Sequence, residues 1–178
     1  METIVLHELE FQKIIPEAII LESIQKLGNT IRKEYYNLNP IVLVVLNGAF
    51  IFGAELIKHL DFPMELDFVR YRSYKGLESG GEIIKSMALP SNLSQRHILL
   101  VEDIVDTGLT LSALKKDIEL QKPASLKIAT LIFKPLALKY SEKPDFSAIE
   151  TSNPFIVGFG LDYKHLGRNL RSIYQLKD

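Results

Sequence analysis

Between Val101 and Thr110 the chain reads Val-Glu-Asp-Ile-Val-Asp-Thr-Gly-Leu-Thr. Asp106, Thr107 and Gly108 form a turn of small and hydroxyl-bearing residues ahead of an amphipathic stretch that begins at Leu109. Such a turn at a helix N-terminus offers several backbone N–H groups and the positive end of the helix dipole, which together cradle a phosphate. Thr107 and Thr110 can add hydroxyl donors. The acids need a further reason, because carboxylates repel a phosphate bound alone. They make sense where the ligand also carries sugar hydroxyls and a divalent cation. Glu102 and Asp103 can accept hydrogen bonds from a ribose diol and favour a nearby Mg²⁺, while Asp106 can act as proton acceptor beside a reacting centre. An Asp-Thr-Gly turn alone is more often a solvated loop or a helix cap. An apolar strand, two adjacent acids, a third acid three positions later and a helix together favour the functional reading.

The flanking sequence must supply that strand and helix. His97 to Val101 is an apolar run that delivers Glu102 and Asp103 to its end, and Leu109 to Gln121 has helical spacing. Upstream, Pro16 to Tyr36 reads as a helix, with Pro16 suited to its first turn and Ile19, Ile20, Ser23, Ile24, Leu27 and Ile31 recurring at helical intervals. Ile41 to Leu46 has the β-branched composition of a strand buried on both faces; Asn47-Gly48 ends it, and Phe50 to Leu60 is helical in pattern. Met64 to Tyr71 and Glu82 to Ala88 have strand character around the Gly-bearing segment Arg72 to Gly81, which predicts a long hairpin with a mobile tip. Ser125 to Phe133 and Phe155 to Phe159 complete the strands, the last followed by a polar turn from Asp162 to Arg168. Alternating buried strands and helices predict an α/β fold, a mostly parallel twisted sheet flanked by helices. With no internal repeat and no linker, residues 1–178 are expected to form one domain.

Composition narrows the partners. Apolar residues make up 47% and charged residues 24%, enough for a true core, and 21 basic against 22 acidic residues give a net charge of -1. So balanced a chain has no global attraction to a nucleic-acid backbone. Cysteine is absent, which excludes disulfides and thiolate metal sites, and His7, His59, His97 and His165 are not spaced as zinc ligands. The first residues lack a signal-peptide pattern and no apolar run nears the roughly 20 residues that span a bilayer, so a cytoplasmic protein is expected.

The segment from Val101 to Thr110 resembles the phosphoribosyl-diphosphate signature of type I phosphoribosyltransferases, in its hypoxanthine–guanine version. Leu46-Asn47-Gly48-Ala49-Phe50, Ser73-Tyr74, Lys134 after a strand, and the tail from Phe155 to Arg168 extend the resemblance over nearly the whole chain from about Ile41 onward. It implies a small hood formed by the termini, a mobile β-hairpin loop starting at Ser73-Tyr74 that closes over the site, and a homodimer or homotetramer. It also implies transfer of the 5-phosphoribosyl group from phosphoribosyl diphosphate to N9 of hypoxanthine or guanine, with Mg²⁺.

On that resemblance, Asp106, Thr107, Gly108, Leu109 and Thr110 bind the 5-phosphate, Glu102 and Asp103 hold the ribose hydroxyls, and Asp106 accepts the purine proton as N9 attacks C1. Lys134 donates to the 6-oxo group, Phe155 stacks on the base, and Ile156 meets its edge through the backbone. Asp162 lies at the base and binds a second Mg²⁺, and Arg168 faces the diphosphate with Asn47 and Gly48. Many members carry lysine where this chain has Asn47, which donates hydrogen bonds without bringing positive charge. The alternatives are transfer to another base, such as xanthine, and a non-catalytic nucleotide-sensing regulator on the same fold. A regulator would be expected to show a basic stripe or a fused DNA-binding domain, and the linear sequence shows neither.

Overall fold

A computed structural model of the chain describes residues 2–73, 83–152 and 154–177. In chain order the elements are β1 (Thr3–Leu6), β2 (Leu9–Ile15), α1 (Glu17–Tyr35), β3 (Ile41–Val45), α2 (Phe50–Ile57), β4 (Glu65–Ser73), β5 (Ile83–Met87) and β6 (His97–Val105). They continue with α3 (Leu109–Glu119), β7 (Ser125–Phe133), β8 (Phe146–Glu150), β9 (Ile156–Val157) and β10 (Ile173–Leu176). Six strands form one sheet in the order β5-β4-β3-β6-β7-β8. All neighbours in it are parallel except β5, which runs antiparallel to β4. The expected mostly parallel sheet is therefore present, as is the β4–β5 hairpin, whose tip, including Tyr74, lies outside the described residues.

Side-chain alternation along the strands builds two cores. Val42, Val44, Leu99 and Ala129 face one side with Ile20, Ile24 and Ile31 of α1 and Phe52 and Leu56 of α2. Ile41, Leu43, Val45, Ile98 and Leu100 face the other with Leu111, Leu114 and Ile118 of α3. Strands buried on both faces read as continuous apolar runs, which is why β3 and β6 were visible in the sequence. Helix α1 starts at Pro16, whose φ of -65° suits a helical entry. Its residue Ile19, counted on the apolar stripe, is instead about half exposed, at 49%.

A second sheet, β1-β2-β10-β9, joins the two termini as a small antiparallel hood. Its strands β1, β2 and β10, and β8 at the edge of the main sheet, were not read from the sequence. They are short, and they alternate polar with apolar residues too weakly to stand out. Several boundaries differ from expectation. Strand β6 runs to Val105, so Glu102 and Asp103 lie within it, because they remain paired to β7, Glu102 opposite Thr130. Strand β9 is only Ile156–Val157, since Gly158 takes a φ of 104° and the chain turns there. Helix α2 ends at Ile57, short of Leu60. Among the described residues no helix is long and apolar enough to cross a membrane.

Candidate active site

From β3 the chain steps to β4 on one side, whereas β6, β7 and β8 build outward on the other. This reversal of direction leaves a crevice between the carboxyl ends of β3 and β6, where open α/β sheets bind ligands. The loop after β3 (residues 46–49) and the turn after β6 (residues 106–108) meet there, and with Asp162 and Arg168 of the hood they enclose a cavity of about 470 Å³. Asn47, Gly48, Glu102, Asp103, Asp106, Thr107, Gly108, Leu109 and Thr110 all line it. Sites far apart in the chain are thus brought to one wall.

Close backbone packing fixes the loop after β3. The Leu46–Asn47 peptide is cis. A side chain at Gly48 would overlap the carboxylate of Asp103, and one at Gly160 would overlap the carbonyl of Gly48. Gly160 also has a φ of 101°, a region that favours glycine. Asp103, Gly48 and Gly160 therefore stack in contact, tying strand, loop and hood together. The outer end of the stack is Arg168, whose Nη1 donates to the Gly160 carbonyl at 2.6 Å while Nη2 lies 2.5 Å from Asp162 Oδ1. The other oxygen of Asp162 accepts the His165 N–H at 2.8 Å.

Charge is concentrated at Glu102 and Asp103. Burial pushes the Glu102 carboxyl well above the usual carboxylate range, and the adjacent Asp103 adds to that shift. Burial also raises Asp103, opposed by its hydrogen bond with Glu102, by the Ile104 N–H at 2.8 Å and by Arg168. The Glu102 Oε2 is shielded from solvent and has no hydrogen-bond partner. Two adjacent carboxylates facing a cavity, one with an orphaned oxygen, suit a ligand that brings hydroxyl donors or a hydrated divalent cation. Among the described residues no cluster of three or more His, Cys, Asp or Glu side chains could cage a metal by itself. The donor set fits Mg²⁺, which keeps several waters and shares its remaining positions with ligand phosphates. Asp162 is differently placed, since both of its oxygens already have protein partners.

The turn after β6 leaves the start of α3 uncapped. Gly108 takes a φ of 80° at the N-cap of α3, and no side chain caps that end. The first amides of a helix have no acceptor within it, so they remain available to a ligand. From outside, the turn is held by the segment after β7: the Thr107 carbonyl accepts the N–H groups of Lys139 and Tyr140, each at 3.0 Å. A side chain at Gly108 would press on Ser141 Oγ at 2.5 Å. The same segment begins at Lys134, whose N–H donates to the Val105 carbonyl at 2.9 Å. That bond brings the buried Lys134 ammonium to 3.4 Å from Asp106 Oδ2.

Three residues singled out in the sequence lie off the cavity wall. Lys134 sits behind Asp106, Ile156 is buried in the core, and Phe155 is 46% exposed on the hood. Phe155 rests on Phe11 at 6.2 Å between ring centroids and meets Tyr163 edge-on at 5.8 Å. Ser73 is the last residue of β4. Among the wall residues not singled out in the sequence is Tyr71, whose hydroxyl donates to Asp117 of α3 at 2.7 Å. Alternation along β4 puts it on the same face as Val69, whereas its place on the wall follows only from how the elements pack.

The chain matches the family described as "Phosphoribosyl transferase domain" over residues 14–164. It is 43% identical over 165 residues to the hypoxanthine-guanine phosphoribosyltransferase of Lactococcus lactis subsp. lactis, covering 92% of this chain and 90% of the relative. It is 39% identical over 160 residues to the hypoxanthine-guanine-xanthine phosphoribosyltransferase of Tritrichomonas foetus, covering 89% and 87% of the two chains. The crystal structure of a hypoxanthine phosphoribosyltransferase from Staphylococcus aureus is similar with a TM-score of 0.88 at 33% identity, covering 93% of this chain and 91% of that one.

Proposed function

Since this chain belongs to the phosphoribosyl transferase family, as a hypoxanthine–guanine phosphoribosyltransferase of purine salvage, we propose a residue-by-residue division of labour for its reaction. The turn from Asp106 to Thr110 receives the 5-phosphate of phosphoribosyl diphosphate, chiefly through the open amides at the start of α3. Glu102 and Asp103 accept the ribose hydroxyls and share in holding Mg²⁺, and the orphaned Oε2 of Glu102 supports that assignment. Asn47, Gly48 and Arg168 face the diphosphate, and Asp162 lies at the base and the second Mg²⁺. When bound, the cation neutralises diphosphate charge and eases its departure.

In the transfer, N9 of the base forms a bond to C1 of the ribose as the bond from C1 to the diphosphate oxygen breaks. The base loses its proton to Asp106, and the electron pair of the broken bond leaves with diphosphate. Positive charge grows on the sugar and the base together, which a nearby carboxylate stabilises. Lys134 donates to the 6-oxo group from behind Asp106, Phe155 offers a half-exposed ring for stacking, and Ile156 meets the base edge through its backbone.

The single observation that carries this reading is the convergence of the phosphate turn, the adjacent acids and Asp106, backed by Lys134, on one crevice. We further read residues 1–178 as one domain, because Ile156 and Ile173 of the hood share a core with α1 and β3. A homo-oligomer is proposed as well. Leu66 and Phe68 stay 44% and 38% exposed on β4 in register with the buried Val42 and Val44, and Phe50 of α2 is 47% exposed. A cytoplasmic site of action accords with purine salvage. The decisive assay supplies purified protein with phosphoribosyl diphosphate, Mg²⁺ and, in turn, hypoxanthine, guanine, xanthine and adenine. Turnover of hypoxanthine and guanine is expected, and activity with adenine alone would remove Lys134 from its role.

A further inference from the structure

The hood reaches the site through a turn that holds two non-glycine residues at positive φ. Tyr163 to Leu166 form a tight turn closed by two hydrogen bonds, Tyr163 N–H to Leu166 O at 2.9 Å and Leu166 N–H to Tyr163 O at 3.0 Å. Its central residues, Lys164 and His165, take positive φ of 46° and 73°, although neither is glycine. Such residues persist where their surroundings over-determine them. This turn separates Asp162 from Arg168, the two hood side chains on the cavity wall.

The surroundings come from the other end of the chain. At the turn between β1 and β2, Glu8 Oε1 accepts from the Tyr163 hydroxyl and from Lys164 Nζ, each at 2.6 Å. The His7 ring meets Tyr163 edge-on at 5.8 Å, and its Nε2 lies 3.3 Å from the Lys164 carbonyl oxygen. Leu6 packs so near Gly167 that an added Cβ there would meet Leu6 Cδ1 at 3.0 Å. Consecutive residues 6, 7 and 8 therefore grip a turn more than 150 residues away in sequence.

We propose that the β1–β2 turn is a brace for the Tyr163–Leu166 turn, with Glu8 a positioning residue that sets Asp162 and Arg168 for ligand binding. Glu8 touches no reacting atom; it acts through Tyr163 and Lys164. The opposite wall, with Asp106 backed by Lys134 and the phosphate turn, does not depend on it. The effect thus falls on the affinity of the site rather than on the chemical step. The consequence for binding rests on the transferase reading, whereas the mechanical part does not.

The test compares the full chain with Glu8→Ala and Glu8→Gln by amide hydrogen exchange and by steady-state kinetics with hypoxanthine and phosphoribosyl diphosphate. In Glu8→Ala, amides of residues 163–167 exchange faster while those of β3 and β6 do not change. KM rises roughly three- to tenfold with kcat within about twofold, the pattern of lost binding. Glu8→Gln still accepts from the Tyr163 hydroxyl and recovers most of both. Unchanged exchange at 163–167 overturns the brace. So does a fall in kcat with KM unchanged, which marks a smaller folded fraction. If the unmodified protein turns over no 6-oxopurine, the functional reading fails, and the exchange result still decides the brace.

Discussion

The buried ammonium of Lys134 lies 3.4 Å from a carboxylate oxygen of the half-buried Asp106. One residue follows β7 and the other follows β6, and the Lys134 N–H bond to Val105 holds them together. In the proposed reaction each must exchange the other for an atom of the substrate.

Asp106→Asn should therefore lower kcat by about two orders of magnitude or more, the usual loss when a general base is removed. Lys134→Ala should raise KM for hypoxanthine at least about tenfold, because a charge-assisted bond to the oxo group is lost. It should leave KM for phosphoribosyl diphosphate within about threefold. Steady-state kinetics with each substrate varied would separate the two residues, and equal effects on both substrates would refute the assignment of Lys134.

Gly48→Ala tests the stack beneath the diphosphate loop. The new methyl overlaps the Asp103 carboxylate, so either the loop or the acid must move. KM for phosphoribosyl diphosphate should rise at least about tenfold, as displacements near 1 Å at a positioned site cost about a hundredfold in rate. The Tm should fall by only a few degrees, since the core on either side is untouched. A variant with normal KM would show that this loop does not carry the ligand.

Glu102→Gln should trade binding for stability. The wild-type carboxyl is buried beside Asp103 with one oxygen unpartnered, and burial pushes its ionisation well upward. Glutamine keeps the shape and removes the charge. The free variant should melt about 2–4 °C higher at pH 8 for roughly 1 kcal/mol of relief in a chain of this size. Its kcat/KM for phosphoribosyl diphosphate should fall at least about tenfold, and thermal melts with and without the ligand would show both effects.

The Glu8 contact should be visible in the pH dependence of stability. The Lys164 ammonium, and after it the Tyr163 hydroxyl, pull this exposed carboxyl down to about 2. His7 is the other titratable neighbour on its own turn. A carboxyl with a depressed folded value binds its proton more readily when unfolded. Its stabilisation is present above the unfolded value, near 4.3, and is lost as pH falls toward 2. The Tm gap between wild type and Glu8→Gln should thus be constant from pH 5 to 6 and shrink steadily from pH 4.5 to pH 3. A gap that widens on acidification would contradict the contact.

Local chemistry made much of the fold legible in the sequence. Residues Ile41 to Leu46 and His97 to Val101 could be read as buried strands because a parallel sheet covered on both faces needs continuous β-branched runs. The turn from Asp106 to Thr110 stood out because an anion seat at a helix start needs small residues next to one another in the chain.

The rest depended on contacts across the chain. The hood strands β1, β2 and β10 carry little local pattern, and only their mutual pairing reveals them. The apolar run from His97 to Val101 placed Glu102 and Asp103 at the end of their strand, yet pairing to β7 carries the strand past them. Tyr71 on the cavity wall, and Glu8 against Tyr163, follow from which elements come to lie side by side.

Sequence alone determined the residue types for the phosphate turn, the acid pair and a lysine after β7, because those requirements are local and chemical. Tertiary structure alone decided that Lys134 reaches Asp106, that Gly48 must be bare to pass Asp103, and that the N-terminal turn lies against Tyr163, between Asp162 and Arg168 in the chain. Those relations depend on distances set by strand order and close packing, which no single stretch of sequence encodes.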